Sequence, residues 1–140
     1  MSETLDALGI LPGAVEFVIG QREQRERAQG FFNDPVGWAK YMLDMDLWSK
    51  QREVVDSVLA NKSTAVKAGH GVGKSLLSAV LVCWWVDTRY PDCGVATTAP
   101  SWDQVNTIIW DEIRKQKAII EQRFEDGLID HKLPGYITSE

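Results

Sequence analysis

An α/β fold, a parallel sheet with flanking helices, is what this sequence predicts, and three features predict it. Short β-rich stretches alternate with longer helical ones: Ser63–Lys67 reads as a strand, Lys74 to about Arg89 as a helix, Gly94–Thr98 as a second strand. The glycine-rich segment Ala68–Gly73 joins the first strand directly to its helix. After the second strand, Ser101-Trp102-Asp103-Gln104 matches the S/T-x-x-E/Q capping box and opens a helix to about Arg123. Only two strands are well marked, with Gly135–Ser139 a weak third. A parallel sheet is normally covered on both faces by several strands and helices. The sheet is therefore expected to be incomplete, the first part of a larger domain.

Residues 1–45 read as an N-terminal extension, partly helical, and residues 46–140 as the first portion of that domain. Leu5, Leu8, Ile10, Leu11, Val15, Phe17, Val18 and Ile19 are apolar, but Gly9, Pro12, Gly13 and Gly20 interrupt them. Gln21–Gln29 carries Arg22, Glu23, Arg25, Glu26 and Arg27, mixed signs that suit a solvated helix face. Asn33-Asp34-Pro35 is a turn and a helix start, after which Trp38, Tyr41 and Met42 share one helical face. Ser49 is placed to cap a helix to about Ala60, with Val54, Val55, Val58 and Leu59 as its apolar stripe. Asn61-Lys62 ends it. The helix after Ser101 has Val105, Ile108, Ile109 and Ile113 along one side.

Hydrophobic residues make up 44% and charged residues 25% of the 140, which excludes wholesale disorder. The longest apolar run, Ala79–Val86, falls far short of the roughly 20 residues of a membrane-spanning helix. The start Met1-Ser2-Glu3-Thr4 lacks the basic opening of a secretory signal. A net charge of −5 argues against a chain whose main task is gripping DNA by its phosphates. Cys83, Cys93, His70 and His131 contain no pair at the short spacing of zinc sites, so the thiols are expected to be idle in a reducing compartment.

Ala68-Gly69-His70-Gly71-Val72-Gly73-Lys74-Ser75 carries the chemistry. It follows the predicted strand and opens a helix, the context in which a Walker A loop binds phosphates, with Ala68 in place of the usual first glycine. Gly69, Gly71 and Gly73 allow positive φ and close approach to a ligand. Inward-turned N–H groups form an anion nest, and the helix N-terminus adds partial positive charge. Lys74 supplies a point charge to the β- and γ-phosphates, and the Ser75 hydroxyl is placed to ligate Mg²⁺. The spacing Gly69-x-Gly71-x-Gly73 does not fit the dinucleotide fingerprint GxGxxG.

Hydrolysis also needs a carboxylate for Mg²⁺ and a residue that orients water. Ile108-Ile109-Trp110-Asp111-Glu112 imitates an apolar strand ending in two acids. The capping box at Ser101 and the helical spacing of Val105, Ile108, Ile109 and Ile113 instead place Asp111 and Glu112 on a helix. Val86-Asp87 falls inside the helix after Lys74. No Walker B strand is expected in this chain.

From Asp34 to about Arg114 the sequence resembles the N-terminal ATPase domain of phage terminase large subunits, the motors that pump DNA into procapsids. Trp48-Ser49-Lys50-Gln51 resembles the family's adenine-contacting segment; Val66–Ser75 resembles its phosphate loop; Ala96-Thr97-Thr98-Ala99-Pro100-Ser101 and Gln104–Ile113 resemble the strand, turn and helix that follow. The resemblance implies a P-loop NTPase-type sheet, ATP and Mg²⁺ as ligands, Gln51 as adenine reader, and Lys74 as the catalytic lysine. It also implies double-stranded DNA, a portal and a small terminase subunit as partners of the full motor, a homo-oligomeric ring, no membrane, and the host cytoplasm as the place of action. Many family members carry Arg where this chain has His70. The family's Walker B pair, coupling motif and nuclease carboxylates match nothing here, so slight or no hydrolysis is expected of this chain alone. A non-catalytic nucleotide-binding or assembly module, and a helicase-like P-loop ATPase, are the alternatives; Gln51 and the Thr-Ala-Pro-Ser segment argue against a small-molecule kinase.

Overall fold

Asp34 starts the helical core in the way Asn33-Asp34-Pro35 predicts. Its Oδ1 accepts a hydrogen bond from the Gly37 N–H at 2.9 Å, and Pro35 takes a first-turn position where no N–H is needed. The computed structural model describes Gly9, residues 13–69 and residues 73–134. Along them run α1 (Ala14–Gln29), α2 (Pro35–Leu43), α3 (Ser49–Ala60), α4 (Lys74–Arg89), the single turn α5 (Trp102–Gln104), a π-helical stretch (Val105–Trp110) and α6 (Asp111–Glu125). The last three join end to end.

The predicted parallel sheet of the P-loop NTPase type is overturned. The described residues are all-helical and contain no strand. Ser63–Lys67 and Gly94–Thr98 are neither helix nor strand, and their backbones enter no ladder. Gly135–Ser139 lies outside the described residues. The reason is that strand propensity is only a preference for a half-buried pleated surface. The hydrogen bonds that make a strand come from another strand, and here none is supplied. Ala65, Val66 and Lys67 are exposed, as are Val95 and Ala96.

The helices, which close their own hydrogen bonds, match the sequence closely. The helix after the glycine-rich segment spans Lys74–Arg89. Ser101 Oγ accepts from the Gln104 N–H at 3.3 Å and opens α5. Ser49 does not cap α3; it is the first helical residue, and Trp48 is the N-cap.

Helices α2, α4 and α6 pack on one another. Trp38, Ala39 and Met42 of α2 meet Leu77, Val80, Cys83 and Trp84 of α4 and Ile113 and Ile120 of α6, with Leu47, Val55 and Ile129 completing the core. Trp84 Nε1 donates to the Phe31 carbonyl at 2.7 Å, and the Arg89 guanidinium lies 3.9 Å from the Phe32 ring and 3.8 Å from the Trp85 ring. In α1, Ala28 is buried, whereas Phe17, Val18 and Ile19 are exposed. Arg22 and Glu26 form an exposed ion pair at 3.3 Å, as mixed charges on a solvated face predict. Among the described residues no helix is long and apolar enough to cross a membrane.

One polar cluster lies inside this core. Asp87 Oδ2 accepts from Trp38 Nε1 at 2.8 Å and faces His131 Nε2 at 2.8 Å, while His131 Nδ1 lies 2.7 Å from Asp130 Oδ1. It fastens the segment after α6 to the far end of α4.

Candidate functional site

The start of α4 is built by glycine. Gly73 is the N-cap, with φ 78° and ψ 25°, and no side chain caps the first turn. An L-residue with a Cβ is strained in that left-handed conformation. The first N–H groups of α4 are therefore left for a ligand or water. Lys74 follows, exposed, and its Nζ donates to the Ala68 carbonyl at 2.7 Å. The lysine thus ties the entry of the glycine-rich segment to its exit.

The start of α3 lies against the start of α4. Gln51, in the first turn of α3, reaches back so that its Oε1 accepts from the Trp48 N–H at 3.2 Å. This is the return half of a capping box. Its Nε2 faces Gly73: a Cβ placed on Gly73 would lie 2.9 Å from it. Beyond α3, Asn61 Nδ2 donates to the Ser57 carbonyl at 3.0 Å, and the Ser57 and Thr64 hydroxyls meet at 3.0 Å. These bonds turn the chain so that residues 64–68 run past the flank of α3.

A cavity of about 490 Å³ opens between α3 and that extended segment, with Gly73, Lys74 and Leu77 at one end. Its size is within the range of about 300–1,000 Å³ usual for small-molecule sites. Trp48, Val54, Ala65 and Val66 supply apolar wall. Among the described residues Lys50, Lys67 and Lys74 line it against the single carboxylate of Glu53, so that wall is net positive in a chain of formal charge −5. Lys50 is itself paired with Glu53 at 2.9 Å, both exposed, a contact worth little in water.

The structure brings Gln51, Ala68, Gly73 and Lys74 to this one cavity. Gly69 and Ser75 lie beside it in the chain without lining it. His70, Gly71 and Val72 lie outside the described residues. Ser75 is half-buried in the first turn of α4. Asp111 and Glu112 stand at the start of α6, each paired with Lys115, at 3.1 and 3.2 Å, and neither lines the cavity. Among the described residues no group of three or more His, Cys, Asp or Glu could hold a metal.

Trp48, Lys50 and Lys67 lie in segments that the sequence reading singles out, Trp48–Gln51 and Val66–Ser75, but it gives none of the three a role of its own. No basic stripe marks them, because they come from α3 and from the segment before the glycines. Nothing in the sequence marks Gln116 of α6 either. It is buried, and its Nε2 donates to the Leu76 carbonyl at 3.2 Å, which holds α6 against the first turn of α4.

Burial pushes the Cys83 thiol up to about 12, with Asp87 adding to the effect. Cys93 is also raised, by burial first. Neither thiol borders the cavity. No protein-family model, no curated protein and no solved structure matches this chain.

Proposed function

We propose that this chain binds the triphosphate of a nucleoside triphosphate, ATP, and that it serves as the ATP-binding front end of a viral DNA-packaging motor of the terminase large-subunit kind, where ATP hydrolysis drives translocation of double-stranded DNA. One observation carries the first half. The cavity joins a net positive wall to Lys74 and to an uncapped helix start, which is the electrostatic setting an anionic phosphate chain requires. The second half is supported by the resemblance of Trp48–Gln51, Val66–Ser75, Ala96–Ser101 and Gln104–Ile113 to those motors. Binding of this kind rests on the glycine-rich segment and α4, not on a sheet.

In this role Lys74 exchanges the Ala68 carbonyl for phosphate oxygens, which make a stronger, charge-assisted bond. Ser75, next to Lys74 in the first turn of α4, would supply one hydroxyl oxygen to Mg²⁺, a hard cation that takes oxygen ligands and commonly keeps waters and substrate phosphates as the rest of its shell. When bound, Mg²⁺ neutralises phosphate charge.

Titration calorimetry with ATP and Mg²⁺ tests the proposal. A charge-assisted hydrogen bond is worth about 1.5–3 kcal/mol, so Lys74→Ala should weaken binding about 10-fold or more. Absence of binding by the wild-type chain at millimolar ATP, or equal binding by Lys74→Ala, would sink it.

A second reading has an observation of its own. Glu53 is the one carboxylate among the described residues that line the cavity, and Asp111 and Glu112 are committed to Lys115. That favours a nucleotide-binding module that docks on a portal, a small terminase subunit or a neighbouring motor chain without turning ATP over. Sustained phosphate release by the purified chain, abolished by Lys74→Ala, excludes the module.

A further inference from the structure

The amide of Gln51 is held at its oxygen by the Trp48 N–H, and its nitrogen lies against Gly73. Gln51 is 7% exposed and stands one turn before Val55, on the buried face of α3. Its Oε1 is taken by the Trp48 N–H. Its Nε2 occupies the space where a side chain on Gly73 would begin. The amide is therefore at the phosphate end of the cavity, touching the residue whose left-handed backbone aims the first turn of α4.

From this geometry we infer that Gln51 is a positioning residue: it buttresses Gly73, and through Gly73 the N–H groups and Lys74 that meet phosphates, and it does not read the base. A glycine free to sample both signs of φ keeps a fixed conformation only when something outside it restricts it. Gln51 adds such a restriction to the one that the helix supplies when the Gly73 carbonyl accepts the Leu77 N–H at 2.9 Å. The side chain is itself fixed by the Trp48 N–H, so the starts of α3 and α4 are locked as a unit. Affinity gained in this way is preorganisation, and it is the same for any ligand that presents a triphosphate.

The binding arm of the test rests on the triphosphate reading above; a second arm does not. In the first, calorimetry compares ATP, GTP and inorganic tripolyphosphate on the wild-type chain and on Gln51→Ala. Loss of one hydrogen-bonded buttress should weaken all three by the same factor, about fivefold. Weakened ATP with unchanged tripolyphosphate would overturn the inference and make Gln51 a base reader. In the second arm, amide hydrogen exchange is followed without ligand at Leu77, whose N–H is held by the Gly73 carbonyl at 2.9 Å. Gln51→Ala should speed it about fivefold, with the amides of α6 unchanged. Unchanged exchange at Leu77 overturns the inference whether or not any triphosphate binds. If the wild-type chain binds none of the three ligands, the triphosphate reading fails and the exchange arm alone decides. Gln51→Met, which keeps the side chain's length but neither polar end, serves where Gln51→Ala is not folded by circular dichroism, and should show the same base-independent loss.

Discussion

His131 holds a buried charge cluster whose loss should cost the fold several kcal/mol. Its side chain is 3% exposed and that of Asp87 1%. Both ring nitrogens face carboxylates, at 2.8 Å to Asp87 and 2.7 Å to Asp130. A neutral imidazole donates from one nitrogen only, so the ring satisfies both partners as an imidazolium. Burial opposes that charge, but the hydrogen bond and field of Asp87, then those of Asp130, outweigh it and raise the His131 pKa above its ordinary 6.5. The stabilisation is therefore complete below the unfolded value and declines as pH rises toward the folded one, by up to about 1.4 kcal/mol per pH unit. Above the folded pKa it is gone. His131→Ala leaves Asp87 buried with the Trp38 indole as its remaining partner. Removing one member of a buried pair costs about 3–5 kcal/mol, against a total of about 5–15 kcal/mol for an ordinary domain. Urea unfolding followed by tryptophan fluorescence, from about pH 5.5 to about pH 8.5, reads both effects. The wild-type chain should lose stability with rising pH across this window, and His131→Ala should be less stable and flatter. A deficit in His131→Ala that is the same at every pH would refute the imidazolium.

Gly73→Ala forces a Cβ into a left-handed φ of 78° and to 2.9 Å from Gln51 Nε2; the conformation alone costs about 1–2 kcal/mol, seen as a lower urea midpoint, and Gln51→Ala in the same chain should relieve part of the loss. Asp34→Ala removes the cap of α2 and should lower stability by about 1 kcal/mol in the same assay. Cys83, pushed up to about 12 by burial, should resist Ellman's reagent at neutral pH in Cys93→Ser until the chain is unfolded; prompt reaction of this variant in the folded state contradicts its burial. Asp111→Asn combined with Glu112→Gln keeps the side-chain shapes and removes only the ion pairs with the exposed Lys115, pairs worth about 0–1 kcal/mol, so the melting temperature and any ATP turnover should change little from the wild type.

Much of the site is legible in the sequence. The order Ala68-Gly69…Gly73-Lys74-Ser75 is local, and so is its consequence, a glycine N-cap followed at once by a lysine on the first turn of a helix. Gln51 is legible as a residue of interest but not in its place: the approach of α3 to α4, which turns its amide onto Gly73, joins segments far apart along the chain. Lys50 and Lys67 are hidden for the same reason, since only the folded cavity adds their charges to that of Lys74.

By itself the sequence determined the helices α2, α3 and α4 and the caps at Asp34 and Ser101, because a helix satisfies its hydrogen bonds within a few residues and apolar spacing names its buried face. It also determined the β preference of Ser63–Lys67 and Gly94–Thr98. Only the tertiary structure decided that these two segments form no sheet, because a strand exists through a partner that local sequence does not name. It likewise decided that His131 finds Asp87, and that three lysines from separate segments line one wall, since a contact across the fold has no period in the sequence to announce it.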